Sequence, residues 1–171
     1  LGKIRDAELK YEAALKEGDA AFKASDWNGA ITFYKNALGF KPAELYPKSQ
    51  IILCNKELDK ISSLLAKYDA AIAEGNTSFK SGKWESAVAA YNKALSFKSG
   101  EPYPKSQIDL CNKELDKIKN LKDIQVQYDA AVNEGNAAFK LANWNGAITA
   151  YNKALSFKSG EPYPKSQIDL C

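Results

Sequence analysis

Apolar residues recur at steps of three and four along most of this chain. One uninterrupted line consists of Ile51, Cys54, Leu58, Ile61, Leu65, Tyr68, Ile72, Gly75 and Phe79. Steps of three and four place side chains on one face of a helix, whereas a half-buried strand would need strict alternation. The pattern therefore predicts an all-α chain.

A second, shorter apolar stripe follows this line. After a break at 81–83 the stripe occupies residues 84–95, and Gly100 and Pro102 end it. The pattern predicts two helices joined by a short turn. Small residues stand where these two helices must approach closely: Gly75, Ala87 and Ala94.

The segment that leads into each such pair extends the helical pattern. Pro104 suits the first turn of a helix, and after it no Pro occurs before Pro162 and no Gly before Gly135. We predict one long helix per period, near 104–141, of about 37 residues and roughly 55 Å at 1.5 Å per residue. A shorter helix in each period, near 84–97, packs against the C-terminal half of a long one.

An alternative breaks the long helix near residue 64 or 121, which gives three helices per unit. Between Ile118 and Tyr128 the spacing becomes three, three and four, through Leu121 and Ile124. Such a stammer keeps a helix continuous while overwinding it locally, and no helix breaker marks a boundary. The sequence therefore favours continuity.

The whole pattern repeats. Tyr11, Tyr68 and Tyr128 begin equivalent stretches, 57 and then 60 residues apart. Other landmarks recur with them: Gly18, Gly75 and Gly135; Trp27, Trp84 and Trp144; Cys54 and Cys111. Residues 90–111 and 150–171 are identical over 22 positions. The chain is therefore built from repeated units, which are either recently duplicated or placed in the same surroundings.

These units resemble the tetratricopeptide repeat (TPR), a helix–turn–helix motif with small residues, aromatic residues and alanines at set places. The matching residues are Gly18, Trp27, Ala30, Tyr34, Ala37 and Pro42 in the first repeat, Gly75, Trp84, Ala87, Tyr91 and Ala94 in the second, and Gly135, Trp144, Ala147, Tyr151 and Ala154 in the third. Ser99 and Ser159 replace the proline in the later repeats. The resemblance implies a helical repeat solenoid or superhelix, here with an extra long connecting helix in each unit of 57–60 residues.

The resemblance also divides the chain into segments. We predict the end of a truncated long helix at 1–10, TPR-like units at 11–44, 68–101 and 128–161, connecting helices at 45–67 and 102–127, and the start of a truncated connecting helix at 162–171.

The amino-acid composition offers few residues for catalysis, metal binding or nucleic-acid binding. The 24 basic and 21 acidic residues are interleaved, and Arg5 is the only arginine, which favours solvated helix faces over nucleic-acid binding. The chain has no His, no closely spaced Cys pair and no Gly-rich phosphate loop. No apolar run has the length of a membrane span. We therefore predict no enzyme, no catalytic residue, no metal site and no cofactor.

Repeated aromatic residues are candidates for an interaction surface. The tryptophans Trp27, Trp84 and Trp144 fill the aromatic place of the repeat, where they either pack in the core or leave one edge exposed to a partner or a sugar. The tyrosines Tyr46, Tyr103 and Tyr163 each precede a proline in a predicted loop, where they pack against the next unit or contact a ligand.

Cysteine and asparagine residues offer two further hypotheses. Cys54, Cys111 and Cys171 fall on the apolar line, as small buried hydrophobic residues or, in an oxidising compartment, as cross-links between units. Asn76 begins an N-glycosylation sequon within a predicted helix, so a glycan is possible there.

Two functions are in competition. Leu1 and Ile4 correspond to Leu58 and Ile61, and Cys171 corresponds to Cys111, so both ends fall within a long helix. Contacts that involve Leu1, Ile4, Ile168 and Cys171 would join units head to tail, or the chain is a window on a longer array; either arrangement predicts a structural rod or fibre. The alternative is a TPR adaptor that binds a partner peptide or helix in its groove. The compartment is not determined: extracellular or cell-surface for a fibre, cytoplasmic otherwise.

Overall fold

A computed structural model describes residues 2–171, with side chains from Arg5 onward. These residues form seven α-helices and no strand, which confirms the all-α prediction. The helices are α1 (Gly2–Lys23), α2 (Trp27–Phe40), α3 (Leu45–Lys80), α4 (Trp84–Phe97), α5 (Pro102–Lys140), α6 (Trp144–Phe157) and α7 (Pro162–Asp169).

The long helices are continuous. Helix α5 runs for 39 residues and α3 for 36, without a break near residue 121 or 64, so the three-helix alternative is wrong. Helix α5 begins two residues before the predicted start at 104, because Pro102 occupies its first turn, where a missing N–H is not needed. Helix α4 has the predicted bounds of 84–97.

Short turns of one design join the paired helices. Each contains one residue with left-handed backbone: Ser25, Gly82 and Ala142, with φ of 60°, 67° and 54°. The turn after α3 is closed by the amide of Lys83, which donates to the carbonyl of Ser78 at 2.9 Å. Asp26 and Asn143 then cap α2 and α6 by accepting from the amides of Gly29 and Gly146. These caps set where α2 and α6 begin.

The chain comprises two compact units. In one, which holds residues through Ala73 together with Lys93–Gly100, the buried residues Ala30, Tyr34 and Cys54 form a core cluster. The other holds Glu74–Asn92 and Glu101–Cys171 and buries Tyr91, Cys111, Ala131, Ala147 and Tyr151, among others. The seven segments drawn from the sequence stay a prediction.

Candidate functional site

Each repeat contains a hydrogen-bonded group that ties three helices together, which we call the tyrosine node. In the second repeat, Oδ1 of Asn76 on α3 accepts from the hydroxyls of Tyr91 on α4 and Tyr103 on α5, both at 2.8 Å. The two rings meet edge to face, with 6.3 Å between centroids. The other nodes are Asp19 with Tyr34 and Tyr46, and Asn136 with Tyr151 and Tyr163, at distances of 2.7–2.8 Å. One acceptor on the first helix thus fixes the second and third helices.

Burial favours the protonated form of the three fully buried node tyrosines by raising their pKa. It raises the pKa of Tyr91 to about 12 and also raises the pKa of Tyr151. Burial and then the hydrogen bond to Asp19 raise the pKa of Tyr34, whose partner is a carboxylate instead of an amide. Because only a neutral phenol can donate, the raised pKa values preserve the hydrogen bonds of these three buried hydroxyls to higher pH.

Glycines make room for these tyrosines. A Cβ placed on Gly75 would lie 2.5 Å from Cε1 of Tyr91, and one on Gly135 would lie 2.5 Å from Cε1 of Tyr151. A Cβ placed on Gly18 would likewise lie 2.7 Å from Cε1 of Tyr34. Ala87 and Ala94 are also fully buried. The prediction that small residues mark a close helix approach is confirmed.

The tyrosines before proline differ from the expectation in one respect. Tyr103 and Tyr163 lie in the first turns of α5 and α7, and Tyr46 in the first turn of α3, not in loops. Proline is tolerated in a first turn, so the helices begin earlier than the Tyr-Pro dipeptides suggest. The rings stay partly exposed while their hydroxyls bind the node acceptors. A role in ligand contact stays a prediction.

The tryptophans lie at the edge of the core. Each packs edge to face on the phenylalanine five residues before it; the Phe79 and Trp84 centroids are 5.2 Å apart. Trp27 and Trp84 are half-buried, and Trp144 is 43% exposed. Each tryptophan therefore leaves part of its surface open to contact.

An open groove lies beside one of these tryptophans. It has a volume of about 590 Å³, and its lining includes Phe79, Trp84 and Leu110 together with Glu114 and Lys117 of α5. Lys117 and Glu114 form a salt bridge of 2.7 Å there. A second cleft of about 470 Å³ lies along the equivalent part of α3. Neither cleft was predicted from the sequence, because the residues that line them in the middle of α3 and α5 lie off the apolar line.

The cysteines are free thiols in the described chain. Cys54 and Cys111 are fully buried, and burial raises the pKa of both thiols, as expected of small core residues. Cys171 is partly exposed, and its Sγ donates to the carbonyl of Gln167. Cross-linking stays a prediction.

The remaining candidates are placed only in part. Ile168 is half-buried in α7. Leu1 and the side chain of Ile4 lie outside the described residues. Asn76 of the sequon lies within α3, where its Oδ1 serves the tyrosine node. Its glycosylation also stays a prediction.

The described residues form neither a metal-binding cluster nor a membrane-spanning helix. Among the described side chains, no three His, Cys, Asp or Glu residues are grouped so that they could hold a metal ion. Across residues 2–171, no helix combines the length and apolarity needed to cross a membrane.

Comparison with known proteins gives a faint likeness. No protein-family model matches the chain. A crystal structure of the MamA protein is similar to it at 20% sequence identity with a TM-score of 0.28, and the match covers 94% of this chain and 80% of that one. A TM-score this low carries no argument about function. The helices and their repeated nodes define the chain as an all-α helical repeat protein.

Proposed function

We propose that this chain is a non-enzymatic structural scaffold of TPR-like repeats that self-associates head to tail, or forms part of a longer array, in a rod or fibre. The main support is the double role of α5. Its first half closes the second repeat through Tyr103 and Cys111, and its second half opens the third repeat through Gly135 and Asn136. Consecutive repeats therefore share one helix.

The TPR assignment also has support in the packing. The small residue of the first helix, Gly75, lies against the aromatic Tyr91 of the second. The two alanines that the motif requires, Ala87 and Ala94, are fully buried in α4. The same relations recur in α6, where Ala147, Tyr151 and Ala154 are buried.

Near-identity of the units favours a scaffold. The segments 90–111 and 150–171 are identical even at exposed positions such as Lys93 and Lys153. TPR adaptors usually vary their groove side chains between repeats, whereas these units are almost copies of one another. Units of nearly identical sequence can make the same contact with each neighbouring unit. When such contacts repeat without closing into a ring, they produce a filament.

An adaptor is the second candidate, favoured by one observation. A shallow cleft of about 500 Å³ lies along α1, and its lining includes Leu15, Lys16, Asp19 and Lys23. An amphipathic helix or an extended peptide could be held on such a surface.

Electron microscopy and light scattering of the purified chain test the scaffold. We expect elongated polymers. Ile4→Gln should shorten them, because Ile4 is a proposed head-to-tail contact, while Arg5→Gln is a matched control that should not. Discrete monomers that bind a peptide along α1 would refute the scaffold and establish the adaptor.

A further inference from the structure

The middle parts of the two long helices leave apolar side chains exposed. Ile61 on α3 and Ile118 on α5 are equivalent residues, and both are 52% exposed. Leu121 on α5 is 67% exposed, and Leu64 on α3 is also exposed. Contiguous exposed apolar patches larger than a few hundred Å² mark interaction sites, so these neighbouring side chains are candidates for one.

Four residues on one face of α5, with the exposed Leu121 among them, form a stripe. Leu110, Glu114, Lys117 and Leu121 follow one another at steps of four, three and four, so they lie on one side of the helix. We call them the α5 stripe. Its first three members line the groove beside Trp84. The exposed Leu121, outside the groove lining, extends the stripe one turn further along the helix.

Helix α3 has the same stripe, 57 residues earlier. It consists of Leu53, Glu57, Lys60 and Leu64, which we call the α3 stripe. In both stripes the central Glu and Lys form a salt bridge, of 2.6 Å on α3 and 2.7 Å on α5, and the outer leucines are exposed.

The order of residues in each stripe is a palindrome. In an antiparallel pair of α5 stripes, Leu110 would face Leu121 of the second copy, and Glu114 would face its Lys117. The same rule pairs Leu53 with Leu64 and Glu57 with Lys60 on α3. A two-fold interface requires this relation, because residue i contacts j while j contacts i. Leucine would meet leucine, and every charge would meet its opposite.

We infer that the stripes are docking surfaces for a second copy of this chain, which lies antiparallel along them. This inference deepens the proposed scaffold: head-to-tail contacts make an array, and the stripes join arrays side by side. One stripe is far smaller than the roughly 800 Å² per partner of a stable interface, so a single contact is weak. Repetition along an array makes the combined contact strong.

The charge of the middle part of α5 is compatible with a second copy of this chain as the partner. Residues 113–126 contain four lysines and three acidic residues, so the segment is almost neutral. A strongly charged partner such as nucleic acid would gain little from it. Two copies, in contrast, can approach without net repulsion, and their central charges alternate in sign.

Charge exchange within the stripes tests the inference. In E57K/E114K and in K60E/K117E, like charges would face each other across the interface. Each double variant should weaken self-association about tenfold or more, which corresponds to roughly 1.4 kcal/mol. The quadruple variant restores opposite charges and should associate within about threefold of wild type. Sedimentation equilibrium measures all three.

A matched control separates the stripe from net charge. D69K/D129K makes the same charge change as E57K/E114K on the same two helices, but these exposed residues lie beyond the ends of the stripes and line neither the groove on α5 nor the cleft on α3. It should associate as wild type does. A second readout is the fluorescence of Trp84 in a W27F/W144F background, which should shift to shorter wavelength on association, since Trp84 lines the groove with Leu110.

The inference is overturned if the exchanged variants associate as wild type does, or if the quadruple variant stays as weak as its parents. Electron microscopy separates this failure from failure of the scaffold. If polymers form equally well in wild type and in all charge-exchanged variants, the docking role of the stripes is refuted and the scaffold is not. If only small oligomers form, and their stability changes with the charge exchanges as expected, head-to-tail assembly is refuted and the docking role of the stripes is not.

Discussion

The substitution Gly135→Ala tests the packing on which the tyrosine nodes depend. The new Cβ would lie 2.5 Å from Cε1 and 2.6 Å from Cδ1 of Tyr151. The ring cannot turn away easily, because it is fully buried and its hydroxyl donates to Asn136 at 2.8 Å. Overpacking a core costs about 1–3 kcal/mol. We take the upper end because the ring is fixed.

Helix propensity acts in the opposite direction. Alanine is better than glycine in a helix interior by up to about 1 kcal/mol. The expected net loss in free energy of unfolding is therefore about 2 kcal/mol, which lowers the melting temperature of a chain of this size by roughly 4–8 °C. Circular dichroism during heating measures it. Gly160→Ala is the control, because no atom lies within 4 Å of a Cβ at that position. A Gly135→Ala protein that melts at or above the wild-type temperature would refute the close contact.

Three further predictions concern the nodes and the thiols. Tyr91→Phe should cost about 1 kcal/mol of stability, as loss of a buried hydrogen bond does, whereas Tyr103→Phe, at a more exposed ring, should cost less; urea titration compares them. Because burial raises the pKa of Tyr91 to about 12 while an unfolded tyrosine titrates near ~10, stability should be level below pH ~10 and fall as the pH rises to 12. Tyr91→Phe should reduce that fall, and an equally steep fall in the variant would contradict the assignment. Cys171 should react quickly with a thiol reagent, while Cys54 and Cys111 should react only as the chain unfolds. If all three thiols react equally fast in the folded chain, then Cys54 and Cys111 are not buried.

The helices could be predicted from the sequence because their signals are local. Steps of three and four define α3 and α5, and the absence of Pro and Gly between Pro104 and Gly135 indicates that α5 is unbroken. The exact start of α5 could not be predicted, because Pro102 is compatible with both a turn and a first helical turn.

The nodes and stripes depend on relations that sequence periodicity does not contain. Tyr103 lies 27 residues from Asn76, on a different helix, and only the packing of three helices brings the two together. The stripe residues Leu110 and Leu121 fit a helical pattern equally well as core or surface positions. Their exposure depends on which side of α5 the neighbouring helices pack against, and the sequence pattern does not specify that side.

The central proposal is that one continuous helix is shared by two repeats, and a distance along α5 tests it directly. Spin labels on cysteines introduced at Asp109 and Gln127, two exposed positions 18 residues apart, should give a narrow distance distribution near ~27 Å in a Cys171→Ser background, whose remaining native thiols are buried. Lys119→Pro should broaden and shift that distribution, because proline interrupts a helix interior. A wild-type distribution as broad as that of the proline variant would contradict the shared helix.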